Sequence, residues 1–211
     1  MRLVRTAVAA AAGLSLVVVG TSGAATKPVC NLVTDAGGDA TGAPVTGTPG
    51  VTPNGAAYDI TSLDVANDKA NFTGVIRVTT LSKTSSNAPT GLHWTVGFAV
   101  AGETYQLSAH NDPAGGETYE LDSVDVPNNS YSMLSEATGV LDIAKNEVRI
   151  SVPVSAIPTK VTSGSKITDI TGTTGAYYSV PLVVSAEDGT DTAAGGSSYV
   201  AGAKSCVTPG K

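Results

Sequence analysis

Trp94-Thr95-Val96-Gly97-Phe98-Ala99-Val100, then Ala101-Gly102-Glu103, then Thr104-Tyr105-Gln106-Leu107-Ser108-Ala109 is the stretch with the clearest alternation in the chain. Trp94, Val96, Phe98 and Val100 recur at every second residue, and Tyr105, Leu107 and Ala109 do so again after the turn. A period of two belongs to an extended strand, whose side chains point to its two faces in turn. Two such runs joined by a glycine-containing turn predict a β-hairpin with one face buried.

The same period extends outward from this hairpin. Tyr58 to Val65 reads as a strand, Asn67-Asp68-Lys69 as a turn, and Phe72 to Leu81 as a strand with Gly74, Ile76 and Val78 on one face and Val75 and Arg77 on the other. Downstream, Asp112-Pro113-Ala114-Gly115-Gly116 breaks the pattern before Tyr119, Leu121 and Val124 resume it. Met133 to Leu141 is expected as one strand. Val148, Ile150, Val152 and Val154 alternate cleanly, with Pro153 placing the strand at an edge or ending it. Ser155 to Ile157 suits a single helical turn, and Val180 to Ala186 a last strand. Residues 36–57, rich in Gly, Ala, Thr and Pro, read as a long loop. Eight or nine short strands with regular turn signals and no sustained helical period predict one antiparallel β-sandwich, immunoglobulin-like or jelly-roll-like. Its core should hold Ile76, Val78, Trp94, Val96, Phe98, Leu107, Val148, Ile150, Val152 and Val184.

The N-terminal segment has a different character. Arg2 and Arg5 precede an uncharged, mostly apolar run from Ala7 to Val19, and small residues follow up to Ala25. This is the layout of a secretory signal peptide over residues 1–25, too short in its apolar part for the roughly 20 residues that span a bilayer. Cys30 has no lipobox before it. Residues 26–211 are then the mature domain, secreted or extracellular and without a membrane span. The chain has 12 basic and 18 acidic residues; with Arg2 and Arg5 removed the balance is ten against 18, a charge of −8. An acidic surface repels nucleic acid and anionic membranes and suits cations. Cys30 and Cys206 are the two cysteines, near opposite ends of the mature chain, and in an oxidising compartment they are expected to pair.

Catalytic chemistry finds little support. No Gly-x-Ser-x-Gly elbow surrounds any serine, and the chain has two histidines, His93 and His110. His93 falls on the face opposite to Trp94 and Val96, and His110-Asn111-Asp112 reads as a polar strand end. Glu103, Glu117 and Glu120 would make a glycosidase pair only if two carboxyls stood about 5–10 Å apart. Acidic loops carry more. Asp35-Ala36-Gly37-Gly38-Asp39 sets two carboxylates on a glycine-rich loop, Asp59 opens the first long strand, and Glu187-Asp188-Gly189-Thr190-Asp191 is a second acidic loop. Pairing of Cys30 with Cys206 would draw the two loops together. Calcium takes six to eight oxygens from such adaptable loops, which makes Asp35, Asp39, Asp59, Asp188 and Asp191 its candidate ligands. The same residues are also those of ordinary turns.

The opening motifs carry a resemblance. Cys30 to Asp39, then Tyr58-Asp59-Ile60-Thr61-Ser62-Leu63-Asp64-Val65, resembles the start of a recurrent domain of secreted actinobacterial and archaeal proteins, which opens on an Asp-Pro-x-Gly-Asp loop and an Asp-Ile-x-Ser-x-Asp-Val strand. Ala36 stands where that loop has Pro. The chain is also similar in outline to the sandwiches of DOMON-like domains and family-nine carbohydrate-binding modules. The resemblance implies a sandwich, calcium at Asp35, Asp39 and Asp59, and no enzymatic activity. DOMON-type haem ligation would need a Met and a His, and Met133 has no evident His partner. For a glycan, Tyr177 and Tyr178 are the candidate contacts, although aromatics make up only 5% of the chain, thin for a stacking platform. The expectation is a secreted, non-catalytic module that binds an extracellular protein or glycan and is stabilised by calcium. Its alternatives are a carbohydrate-binding module and, further off, a secreted hydrolase.

Overall fold

The computed structural model describes residues 27–42, 55–83, 90–112, 115–178 and 186–210, with the side chains of 41–42, 90, 177–178 and 186–190 outside the description. The signal segment and Val184 therefore lie outside it. Along the chain come β1 (Val33–Thr34), β2 (Thr41–Gly42), the short helix α1 (Gly55–Tyr58), β3 (Ile60–Asn67), β4 (Asn71–Val78), β5 (Thr90–Val100) and β6 (Glu103–Asp112). There follow β7 (Gly116–Asp125), β8 (Ser130–Glu136), β9 (Thr138–Asp142), β10 (Glu147–Pro153), a 3-10 turn at Val154–Ala156, β11 (Lys166–Tyr178), β12 (Ala186–Ala193) and β13 (Tyr199–Val200). They form two antiparallel sheets. One has the order β1-β3-β4-β10-β9; the other runs β2-β12-β11-β5-β6-β7-β8, with β13 beside β11.

The all-β sandwich expected from the alternation is the observed fold. The decisive hairpin is β5–β6, with Val96 opposite Leu107 and Phe98 opposite Tyr105. Its turn is Ala101-Gly102, both at positive φ (51° and 89°). Two successive positive φ values give the turn whose twist matches the flanking strands. Strands outnumber the expectation for two reasons. The two-residue strands β1, β2 and β13 are too short to leave a period, and the run from Met133 to Leu141 is two strands. β8 pairs with β7 in one sheet and β9 with β10 in the other, so the chain changes sheets at Ala137. Pro153 ends β10, which lies inside its sheet between β4 and β9.

The core fills the space between the sheets. Ile76, Val78, Trp94, Val96, Phe98, Leu107, Val148, Ile150 and Val152 are all buried, as the alternation predicts. Trp94 donates its indole N–H to the carbonyl of Ala57 (3.1 Å), so α1 closes one end of the core. At Gly74 an added Cβ would lie 3.1 Å from Leu107 Cδ1 and 3.2 Å from Val96 Cβ. Glycine there lets the sheets approach closely.

The outer face of the smaller sheet is also covered, which alternation alone did not reveal. Val75 packs with Ala66 and Val207 from the C-terminal tail. That tail is fastened by Gly210 N–H to the Thr73 hydroxyl (2.9 Å) and by Arg149 to the carbonyl of Thr208 (3.0 Å). Beside it, Arg77 bridges the buried Asp64 (2.7 Å) and Glu147 (2.9 Å). Cys30 and Cys206 form the expected disulfide, their Cα atoms 5.3 Å apart. Val29 and Ser205 pair as a parallel bridge next to it. Among the described residues no helix is long and apolar enough to cross a membrane.

Candidate metal centre

The loop after β1 begins where Asp35 N–H donates to the carbonyl of Thr61 (3.1 Å), fixing the loop to β3. Gly38 takes φ of 91°, a conformation that costs glycine no side-chain clash. Its N–H is shared by both carboxylate oxygens of Asp59, at 2.8 and 2.9 Å, and the Thr79 hydroxyl donates to Asp59 Oδ2. Asp59 is buried and stands immediately before β3. Its oxygens are engaged in folding the loop back over the end of the sheet, so it acts as the loop's anchor beside the centre.

The segment Glu187 to Asp191, expected as a flexible loop, is part of β12. It pairs with β11 (Asp191 opposite Thr174) and with β2 (Thr190 opposite Thr41). Tertiary pairing overrides the weak strand propensity of Asp and Gly here. Asp191 is buried, and it accepts hydrogen bonds from Ile60 N–H at Oδ2 (2.6 Å) and from Thr192 N–H at Oδ1 (2.7 Å). This carboxylate therefore ties the larger sheet to the start of β3 in the smaller one.

These contacts bring together one carboxylate oxygen each from Asp35, Asp39 and Asp191, all within 4.8 Å of one another. Asp35 Oδ1 accepts from Ala36 N–H (3.0 Å), whereas its Oδ2 is buried with no hydrogen-bond partner. Burial pushes the Asp191 carboxyl above its ordinary range, and the neighbouring Asp35 and Asp39 push it further the same way. At 4.8 Å two unit charges repel by about 1 kcal/mol in bulk water and about 3 kcal/mol at an effective dielectric near 20. The arrangement is an acidic cup of three hard oxygen donors. Asp188 lies on β12 at the irregularity in its pairing with β11, and its side chain is outside the described residues. So are the side chains of Tyr177 and Tyr178, which end β11 opposite Gly91 and Thr90 of β5.

The carboxylates weighed for glycoside chemistry do not face one another. Glu120 lies opposite Ser108, five residues along β6 from Glu103. That is roughly 17 Å of strand, beyond the span a carboxyl pair needs. Glu117 and Glu120 are three apart on β7 and so fall on opposite faces. Glu117 instead pairs with Lys83 (2.7 Å) and accepts from the Tyr119 hydroxyl (2.6 Å). His93, expected on an exposed face, is half-buried; burial first, then the neighbouring His110, pulls its imidazole down to about 4. His110 Nε2 lies 3.3 Å from Glu120 Oε1.

Compared with known proteins, the chain matches no family model, and no curated protein and no solved structure matches it at a significant level.

Proposed function

We propose that this protein is an exported, non-catalytic binding module of β-sandwich form, stabilised by a calcium ion between Asp35, Asp39 and Asp191. One observation carries the reading: three carboxylates converge, and one of their oxygens, Asp35 Oδ2, is buried without a hydrogen-bond partner. A buried carboxylate oxygen left unsatisfied costs free energy unless a proton or a cation meets it. Calcium is the cation that suits hard oxygen donors on a loop, and a carboxylate that already accepts a backbone N–H keeps lone pairs for a metal. The resemblance of the Asp35–Asp39 and Asp59–Val65 motifs to secreted domains points the same way. Export is supported by the signal layout of residues 1–25 and by the Cys30–Cys206 bridge. The binding partner of such a module is an extracellular protein or glycan.

Thermal melting in calcium and in chelator tests the cation. At a hundredfold excess over Kd, calcium should add about 2.7 kcal/mol to the wild type. Asp39→Asn should lose that increment, yet in chelator it should melt at or above the wild type, because one of three mutually repelling charges is gone. Asp68→Asn is the control. Asp68 Oδ1 caps a turn through Ala70 and Asn71 N–H, both at 2.7 Å, so this variant should melt lower in both buffers with the calcium increment intact. Identical wild-type melting in calcium and in chelator would return the aspartates to turn chemistry. Turnover of glycoside, ester or peptide substrates by the purified protein would overturn the non-catalytic reading.

A further inference from the structure

The chain contains two histidines, and the fold sets them directly opposite each other on adjacent strands, His93 on β5 and His110 on β6. Their ring centres are 6.2 Å apart, with the planes tilted by 37°. A metal about 2.1 Å from one nitrogen of each ring separates the ring centres by roughly 5 Å at a tetrahedral angle and roughly 6.4 Å when linear. The observed spacing falls within that range, towards its linear end.

We propose that His93 and His110 form a second metal site, distinct from the acidic cup, for a late first-row divalent ion such as Cu²⁺ or Zn²⁺, with Glu120 as a positioning residue. Glu120 Oε1 stands 3.3 Å from His110 Nε2. A carboxylate beside Nε2 favours the tautomer that leaves the Nδ1 lone pair for a metal. A carboxylate behind a ligating histidine fixes its tautomer and raises its basicity. The site is reachable from solvent, since the side chains of His110 and Glu120 are 35% and 31% exposed. The two centres differ in hardness. Two imidazoles with water completing the shell select copper or zinc over calcium, and three aspartates select calcium.

The test is titration of the mature, disulfide-bonded protein with Cu²⁺, followed by electron paramagnetic resonance. Wild type should bind one ion with hyperfine splitting from two nitrogens. His110→Gln and His93→Gln should each reduce the pattern to a single nitrogen and weaken binding at least tenfold. Glu120→Gln should keep both nitrogens and weaken binding roughly tenfold, the scale of a lost outer-shell partner. Asp39→Asn should leave the copper signal unchanged and so separate this site from the calcium cup. His110→Gln, the change at the more exposed ring, keeps the test valid if His93→Gln fails to fold. A two-nitrogen signal that survives His110→Gln would place copper elsewhere, for example at the terminal amine, and overturn the proposal. So would loss of the signal in Asp39→Asn, or no binding at micromolar Cu²⁺.

Discussion

Gly172 in β11 and Leu63 in β3 mark a point where the two sheets nearly touch. A Cβ on Gly172 would sit 2.6 Å from Leu63 Cδ2, 2.7 Å from Cδ1 and 3.1 Å from Cγ. Leu63 is fully buried, so its side chain has no solvent to swing into. Gly172→Ala should therefore overpack the core at a cost of about 1–3 kcal/mol, less about 0.5–1 kcal/mol recovered because alanine loses less backbone entropy than glycine in a strand. The net loss is about 0–2.5 kcal/mol, centred a little above 1 kcal/mol. Leu63→Ala alone should cost about 2–5 kcal/mol through lost burial and the cavity it leaves. In the double variant the new methyl enters the vacated space, so the two losses should fall short of their sum by about 1–2 kcal/mol. Urea unfolding followed by the emission of Trp94 reads all four proteins, since this single tryptophan is fully buried in the native state. Losses that add to within about 0.5 kcal/mol would mean that the residues do not meet and that the packing of the sheets is wrong at this point.

His93 supplies a test by pH in the metal-free protein. Its pKa is lowered from 6.5 to about 4 with His110 and the Glu120 carboxylate nearby, so its stabilising share is complete above pH 6.5 and is lost as pH falls through 6.5 towards 4, by at most about 3 kcal/mol. A histidine resonance titrating with an ordinary midpoint for both rings would refute this. The bridge is tested by alkylation: both thiols should react only after reduction, and Cys30→Ser with Cys206→Ser should cost about 2–5 kcal/mol while the calcium increment survives. Loss of the increment together with the bridge would show instead that the disulfide places the aspartates.

How much of this was legible in the sequence depended on whether a pattern was local. The alternation from Trp94 to Ala109 was complete within one hairpin, so it gave the strands, the turn at Ala101-Gly102 and the buried face together. Val148 to Val152 was equally clear. Glu187 to Asp191 misled, because its strand exists only through β11 and β2, and nothing local to an Asp- and Gly-rich segment reports a distant partner. The break between β8 and β9 was hidden for the same reason: a chain that changes sheet at Ala137 keeps its extended backbone. Of the acidic residues, Asp35, Asp39 and Asp191 were found as types on loops, and the role of Asp59 as the loop's anchor needed the hydrogen bonds of Gly38 and Thr79. The facing of His93 and His110 follows from strand register, which counts residues from the turn at Ala101-Gly102. That signal is present in the hairpin, since a count outward from the turn sets position 93 opposite position 110.

The position of the acidic cup also shows which contacts hold it. Pairing of Cys30 with Cys206 is expected to draw the two acidic segments together, yet Cys30 is only the first of several ties along this segment. Leu32 N–H donates to Asp64 Oδ1 (3.1 Å), Ser197 N–H to the Leu32 carbonyl (2.7 Å), and Val33 and Thr34 pair with Leu63 and Ser62. Asp35 is then bonded to Thr61, Gly38 to Asp59, and Thr41 pairs with Thr190 one residue from Asp191. Along the chain each tie lies nearer to Asp35, Asp39 or Asp191 than the bridge does, and each belongs to the folded sandwich. The bridge acts chiefly on the unfolded chain, where closing a loop over a separation of 176 residues removes about 5 kcal/mol of conformational freedom in the chain-entropy model. The cation proposed for the cup would act on the folded state alone. The two contributions would then enter stability through opposite ends of the folding equilibrium, so removing one is expected to leave the geometry required by the other in place.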